Sequence, residues 1–135
     1  MGPTYYNTFI EVAEDCPVTV AEVPPAKGEK KTKSNLEYEL IAGQPYHYTG
    51  EDIAFLVHAM YNEIPKGQWT AERVTFFSKG QPCLRTSALS KRYGWGTHHD
   101  ENGKIALIPI DSNEYKKLIK SSSLKHLKAM RSKKN

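Results

Sequence analysis

The chain is poor in cysteine: Cys16 and Cys83 are the only two in 135 residues. That is too few for a disulfide scaffold, and no CxxC pair offers zinc ligands. Reduced thiols in a cytoplasmic protein are the expectation. No apolar run approaches the roughly 18 residues that a membrane span needs. The opening MGPTYYNTFIEV has no basic stretch followed by an apolar one, so no secretory leader is expected. Acidic residues are missing after Glu114, while Lys116, Lys117, Lys120, Lys125, Lys128, Arg131, Lys133 and Lys134 crowd the end of the chain. Up to Tyr115 there are 11 basic and 15 acidic residues. The net charge of +4 therefore belongs to the tail, which weakens the case for a nucleic-acid binder.

What is present suits one folded domain. Hydrophobic residues make up 39% of the chain and charged residues 25%, a balance typical of globular proteins rather than disordered ones. TFIEVAED (8–15) reads as a strand, ended by Cys16-Pro17 because proline has no amide proton for a ladder. Residues 18–33, with Pro24-Pro25, read as a loop. Ser34-Asn35-Leu36-Glu37 has the form of a capping box and opens a helix that ends near Gly43. Thr49-Gly50-Glu51-Asp52 opens a second helix, on which Ile53, Leu56, Val57, Met60 and Ile64 form one apolar stripe with His58 opposite. A third helix is expected from Gln68 to Ser78, with Trp69 and Phe76 turned inward.

Beyond Gly80 the apolar period shortens to two. CLRTSAL (83–89) is read as a strand, and Tyr93, Trp95 and Thr97 alternate along a second. Asn102-Gly103 predicts a type I′ hairpin leading into a third strand over 104–110. Asp111-Ser112-Asn113-Glu114 caps a closing helix with Tyr115, Leu118 and Ile119 inward. The expected fold is α+β. It has a small, mainly antiparallel sheet, built from the N-terminal strand and the C-terminal strands and hairpin, packed by three central helices and a C-terminal helix. Residues 1–122 form the domain, and 123–135 form a basic C-terminal helix or tail.

Three sets of residues could carry chemistry. Cys83, two residues before Arg85, is a candidate nucleophile, since a nearby guanidinium favours the thiolate. His98 and His99, being neighbours on a strand, point to opposite faces and do not chelate one metal; no metal site and no cofactor is expected. The third set is the expected ligand surface. Arg85, Lys91, Arg92, Tyr93, Trp95 and His98 place cations and aromatics beside Gly94 and Gly96, a combination suited to an anionic small molecule or an anionic protein partner. Nucleic-acid binding through the basic tail is the weaker expectation, and an enzyme using Cys83 is the other alternative.

NTFIEVAEDCPV (7–18), FFSKGQPCLR (76–85), SKRYGWG (90–96) and KAMRSK (128–133) together resemble a family of small bacterial proteins known only as a domain of unknown function. The resemblance spans nearly the whole chain. It implies a single-domain bacterial, cytoplasmic protein and supplies no reaction, ligand or catalytic residue.

Overall fold

β1 (Thr8–Glu11) forms the middle of a four-stranded sheet with the order β3-β2-β1-β4. The computed structural model describes residues 4–81 and 83–132; Lys133 and Lys134 of the basic tail lie outside them. β1 pairs antiparallel with β2 (Trp95–His99), which pairs antiparallel with β3 (Ile105–Pro109). On its other side β1 pairs parallel with β4 (Lys125–Lys128). The sheet is thus mainly antiparallel, with five helices around it, and the fold is α+β.

Pleat alternation and register place Thr8, Ile10, Thr97, His99, Ile105 and Leu107 on one face. α1 (Lys33–Gly43) and α2 (Gly50–Tyr61) cover that face, packing Leu36, Ile41, Ile53 and Val57 onto Ile10 and Ile105. Phe9, Ala106 and Ile108 emerge on the other face, under Tyr115 and Leu118 of α5 (Asn113–Ile119). Both faces of the sheet are therefore covered, which is why β3 is apolar throughout. α3 (Trp69–Phe77) lies over α2 and has no fully buried residue. It is held through aromatic contacts, with Phe55 of α2 edge-on to both Trp69 and Phe76.

Several local expectations are corrected. The strand expected over 83–89 is instead a 3₁₀ turn at Leu84–Thr86 followed by the short α4 (Ala88–Lys91). Here the Thr86 hydroxyl donates to the Cys83 carbonyl, and the Ser87 hydroxyl accepts from the Leu89 amide. Such local side chain–backbone bonds compete with a ladder, and here they win. Within residues 123–135, expected as a basic helix or tail, Lys125–Lys128 form β4. Leu127 packs beside Ile10, and the Ala129 amide donates to the Glu11 carbonyl. α1 begins two residues earlier than expected: Thr32 is its N-cap, closing a capping box with Asn35 rather than Ser34 with Glu37. The hairpin is not type I′. Only Gly103 has positive φ there, at 77°, in a loop where Gly103 donates to the Asp100 carbonyl, as in a type I turn followed by a bulge. On the expected apolar stripes, Met60 and Ile119 are exposed, while α2 buries Phe55 and Ala59 on the side facing α3.

Candidate functional site

Residues 33–37 of α1, residues 50–58 of α2, Phe76 of α3 and segment 83–88 come together on one side of the molecule. These elements enclose a cavity of about 400 Å³. α1 contributes Lys33, Ser34 and Glu37; α2 contributes Ile53, Ala54, Val57 and His58; segment 83–88 contributes Cys83, Leu84, Ser87 and Ala88. Apart from His58 the wall is apolar on the α2 side, and it is polar on the α1 side.

The polar side is organised by one hydroxyl. Ser87 caps α4 by accepting from the Leu89 amide at 3.1 Å, which orients its proton toward Glu37; it donates to Glu37 Oε1 at 2.7 Å. Burial pushes the Glu37 carboxyl above the ordinary carboxylate range, and the Ser87 donor and the Lys33 charge only partly offset this. The cavity therefore presents a carboxyl with a raised affinity for its proton.

His58 and Cys83 line the same space, but they are not assembled as a nucleophile and its base. His58 Nε2 lies 3.2 Å from Glu72 Oε1, and its Nδ1 faces the Asn62 amide nitrogen at 3.4 Å. Its ring stacks on Phe76 at 4.5 Å between centroids. Both nitrogens are thus turned to other partners. Cys83 Sγ accepts a hydrogen bond from Tyr5 Oη at 2.9 Å. Burial, then the Cys83 contact, raise the Tyr5 hydroxyl to about 12. Tyr5 also meets the ring of His99 edge-on. His99 is fully buried, its Nε2 bonded to Thr97 and its Nδ1 without a partner among the described residues, and burial drives its pKa down to about 3.

The residues expected to form the hairpin surface have separate settings. Arg85, off the expected strand, turns its Nε to the Lys128 carbonyl at 2.8 Å, and its own carbonyl accepts from the Met130 amide. It thereby bridges the outer edge of β4. Lys91 ends α4, exposed Arg92 caps it, and Tyr93 holds the Glu22 amide through its carbonyl. Trp95 lies on the α1 face of the sheet, tilted against Tyr38 at 5.4 Å, with its indole donating to the Glu22 carbonyl. His98 lies on the opposite face, its Nδ1 paired with Tyr46 Oη at 2.8 Å; burial lowers its pKa, with Asp100 and Glu114 opposing. Trp95 and His98 therefore cannot share one wall. Of the expected residues, Cys83 alone lines the cavity.

Sequence reading misses Lys33, Glu37, His58 and Ser87 as a group. One signal was available. Thr32-Lys33-Ser34-Asn35 is also a capping box, and starting α1 there sets Lys33 and Glu37 one turn apart on one face.

Among the described residues, no three His, Cys, Asp or Glu side chains gather as a metal would require. No helix in the described residues is long and apolar enough to cross a membrane. No curated protein and no solved structure gives a significant match to the chain. A family model does match, over residues 2–135, in agreement with the resemblance carried by the segments quoted above. The chain belongs to the family of unknown function DUF6157.

Proposed function

We propose that this protein is a binding module for a small organic molecule, held in the cavity between α1, α2, Phe76 and segment 83–88. The observation that carries the reading is the cavity itself. At about 400 Å³ it falls within the size range of small-molecule sites, and its wall combines an apolar patch with converging polar groups, as such sites do. The binding role moves here from the hairpin because Arg85 is engaged at the sheet edge and Trp95 and His98 sit on opposite faces. A thiol enzyme is the weaker reading, since both nitrogens of His58 face partners other than Cys83.

The test is a fragment screen by NMR on the full chain, with and without the substitution Ala54→Phe. Ala54 is half-buried and lines the cavity, so a phenyl ring there occupies ligand space. Hits are expected to shift the methyl signals of Ile53, Val57 and Leu84 and to lose binding in folded Ala54→Phe. Hits that bind the variant equally well, or that shift only residues remote from the cavity, would overturn the reading.

A further inference from the structure

We propose, building on the reading of the cavity as a ligand site, that its ligand is a small amphipathic carboxylate, with the anionic end set against Lys33 and Glu37 and the hydrocarbon body against α2. Three observations support this. First, α1 lays Lys33, Ser34 and Glu37 along one wall, while Ile53, Ala54, Val57, Phe76 and Leu84 form an apolar patch, with His58, Gln81 and Thr86 also in the lining. A ligand that meets both the α1 wall and the apolar patch carries a polar end and a hydrocarbon body. Second, Lys33 is the one Lys or Arg among the described lining residues, and it stands one turn from Glu37. An ammonium group placed at Glu37 would meet that charge, whereas a carboxylate is attracted to it. Third, Ser87 occupies Oε1 of Glu37, and no other hydrogen bond reaches this carboxyl among the described residues. Oε2 remains for a ligand.

Two carboxylate groups repel one another unless a proton sits between them. Glu37 is the group placed to share one, with Oε2 open to the ligand, and burial raises the affinity of its carboxyl for a proton. The protonated Oε2 donates to the ligand's carboxylate oxygen, and the Lys33 ammonium balances the single remaining charge. The titratable groups facing this point are Lys33 on the same helix, His58 from α2 and Cys83 from segment 83–88. Lys33 itself is exposed, at the rim of the α1 wall, with its Nζ 5.3 Å from the centre of the Tyr61 ring.

The experiment compares hexanoate, hexanamide and hexylamine, three probes of one length and different charge, by calorimetry and NMR titration of the full chain. Hexanoate is expected to bind about tenfold more tightly than hexylamine, with hexanamide between them. Lys33→Ala should lower hexanoate affinity by a similar factor and leave hexanamide unchanged. Glu37→Gln keeps a donor in the same place, so hexanoate binding should survive. Preference for hexylamine, lost in Glu37→Gln, would overturn the carboxylate assignment, as would equal binding of all three probes. In both cases the cavity reading stands provided Ala54→Phe removes the binding. Hexanoate that binds Ala54→Phe as well as wild type would overturn the carboxylate assignment at this site. No binding of any probe, while other fragments still bind the cavity, rejects the ligand class alone; no binding of any fragment at all rejects both.

Discussion

Glu37 and His99 are buried on the same side of the sheet, and burial moves their proton affinities in opposite directions. The folded value of His99 is about 3, against an ordinary value of about 6.5 in an unfolded chain. Between those values the unfolded state holds the extra proton, so the contribution of neutral His99 to stability is lost as pH falls through that window. Glu37 behaves the other way. Its folded value is raised, the folded state holds the extra proton, and stability is lost as pH rises through the folded value. Urea midpoints measured from pH 4 to pH 8 should separate the two. His99→Phe is expected to flatten the loss on the acid side, and Glu37→Gln should gain on wild type steadily as pH rises. Identical pH profiles in variant and wild type would contradict the assigned burial. A further single-residue test concerns packing on the opposite face. A Cβ at Gly96 would lie 2.8 Å from Phe9 Cζ and 2.8 Å from Tyr115 Cε2, two buried rings packed edge to face. Gly96→Ala should therefore destabilise by about 1–3 kcal/mol, the usual range for overpacking, whereas Gly43→Ala, with nothing within 4 Å, should not.

Elements whose stabilising contacts are local or strongly periodic were legible in the sequence. α2 follows from its capping residues and apolar spacing, the β2–β3 hairpin from alternation around Asn102-Gly103, and α5 from Ser112 ahead of Tyr115 and Leu118. Elements decided by distant partners were not. Leu124 and Leu127 are three residues apart, a helical interval, and nothing local reveals that β1 lies ready to pair with Lys125–Lys128. Cys83, Arg85 and Ser87 alternate like a strand, but Thr86 and Ser87 bond to the backbone around them and close a turn. The cavity inherits this difficulty, since it depends on where segment 83–88 meets α1 and α2. Arg85 shows the consequence. It reads as a ligand cation, yet its Nε donates to the Lys128 carbonyl and its carbonyl accepts from Met130, so it acts as a clasp on the edge of β4. Arg85→Ala is expected to cost about 1 kcal/mol, the net value of one such hydrogen bond. Hydrogen exchange should show faster exchange confined to β4 and Met130. Uniformly faster exchange, or none, would count against the clasp.

At the scale of the whole molecule, the order β3-β2-β1-β4 makes the first strand in sequence depend on the last. β1 has ladders on both sides, and β4 supplies one of them from beyond residue 122. Its side chains divide the basic tail into two kinds of residue. Leu127 packs onto the core cluster and Ala129 is 3% exposed within it, while Lys125 and Lys128 point outward. Deletion after Ser122 would remove both the apolar contacts and a full ladder from β1. Burying one aliphatic side chain contributes about 1.5–3 kcal/mol, and a domain of this size holds only about 5–15 kcal/mol in total. The truncated chain is therefore expected to lose much of its cooperative thermal transition. Lys125→Glu with Lys128→Glu reverses the charge and keeps the backbone pairing; the one ion pair it breaks among the described residues, Lys128–Glu14 at 3.8 Å, is exposed and contributes little. That double variant should melt within a few degrees of wild type. The paired experiment asks whether the C-terminal segment acts through its charge or through its place in the sheet. If the truncated chain melted like wild type while the charge-reversed chain unfolded, the tail would matter as a cluster of cations and β4 would not be part of the folding unit.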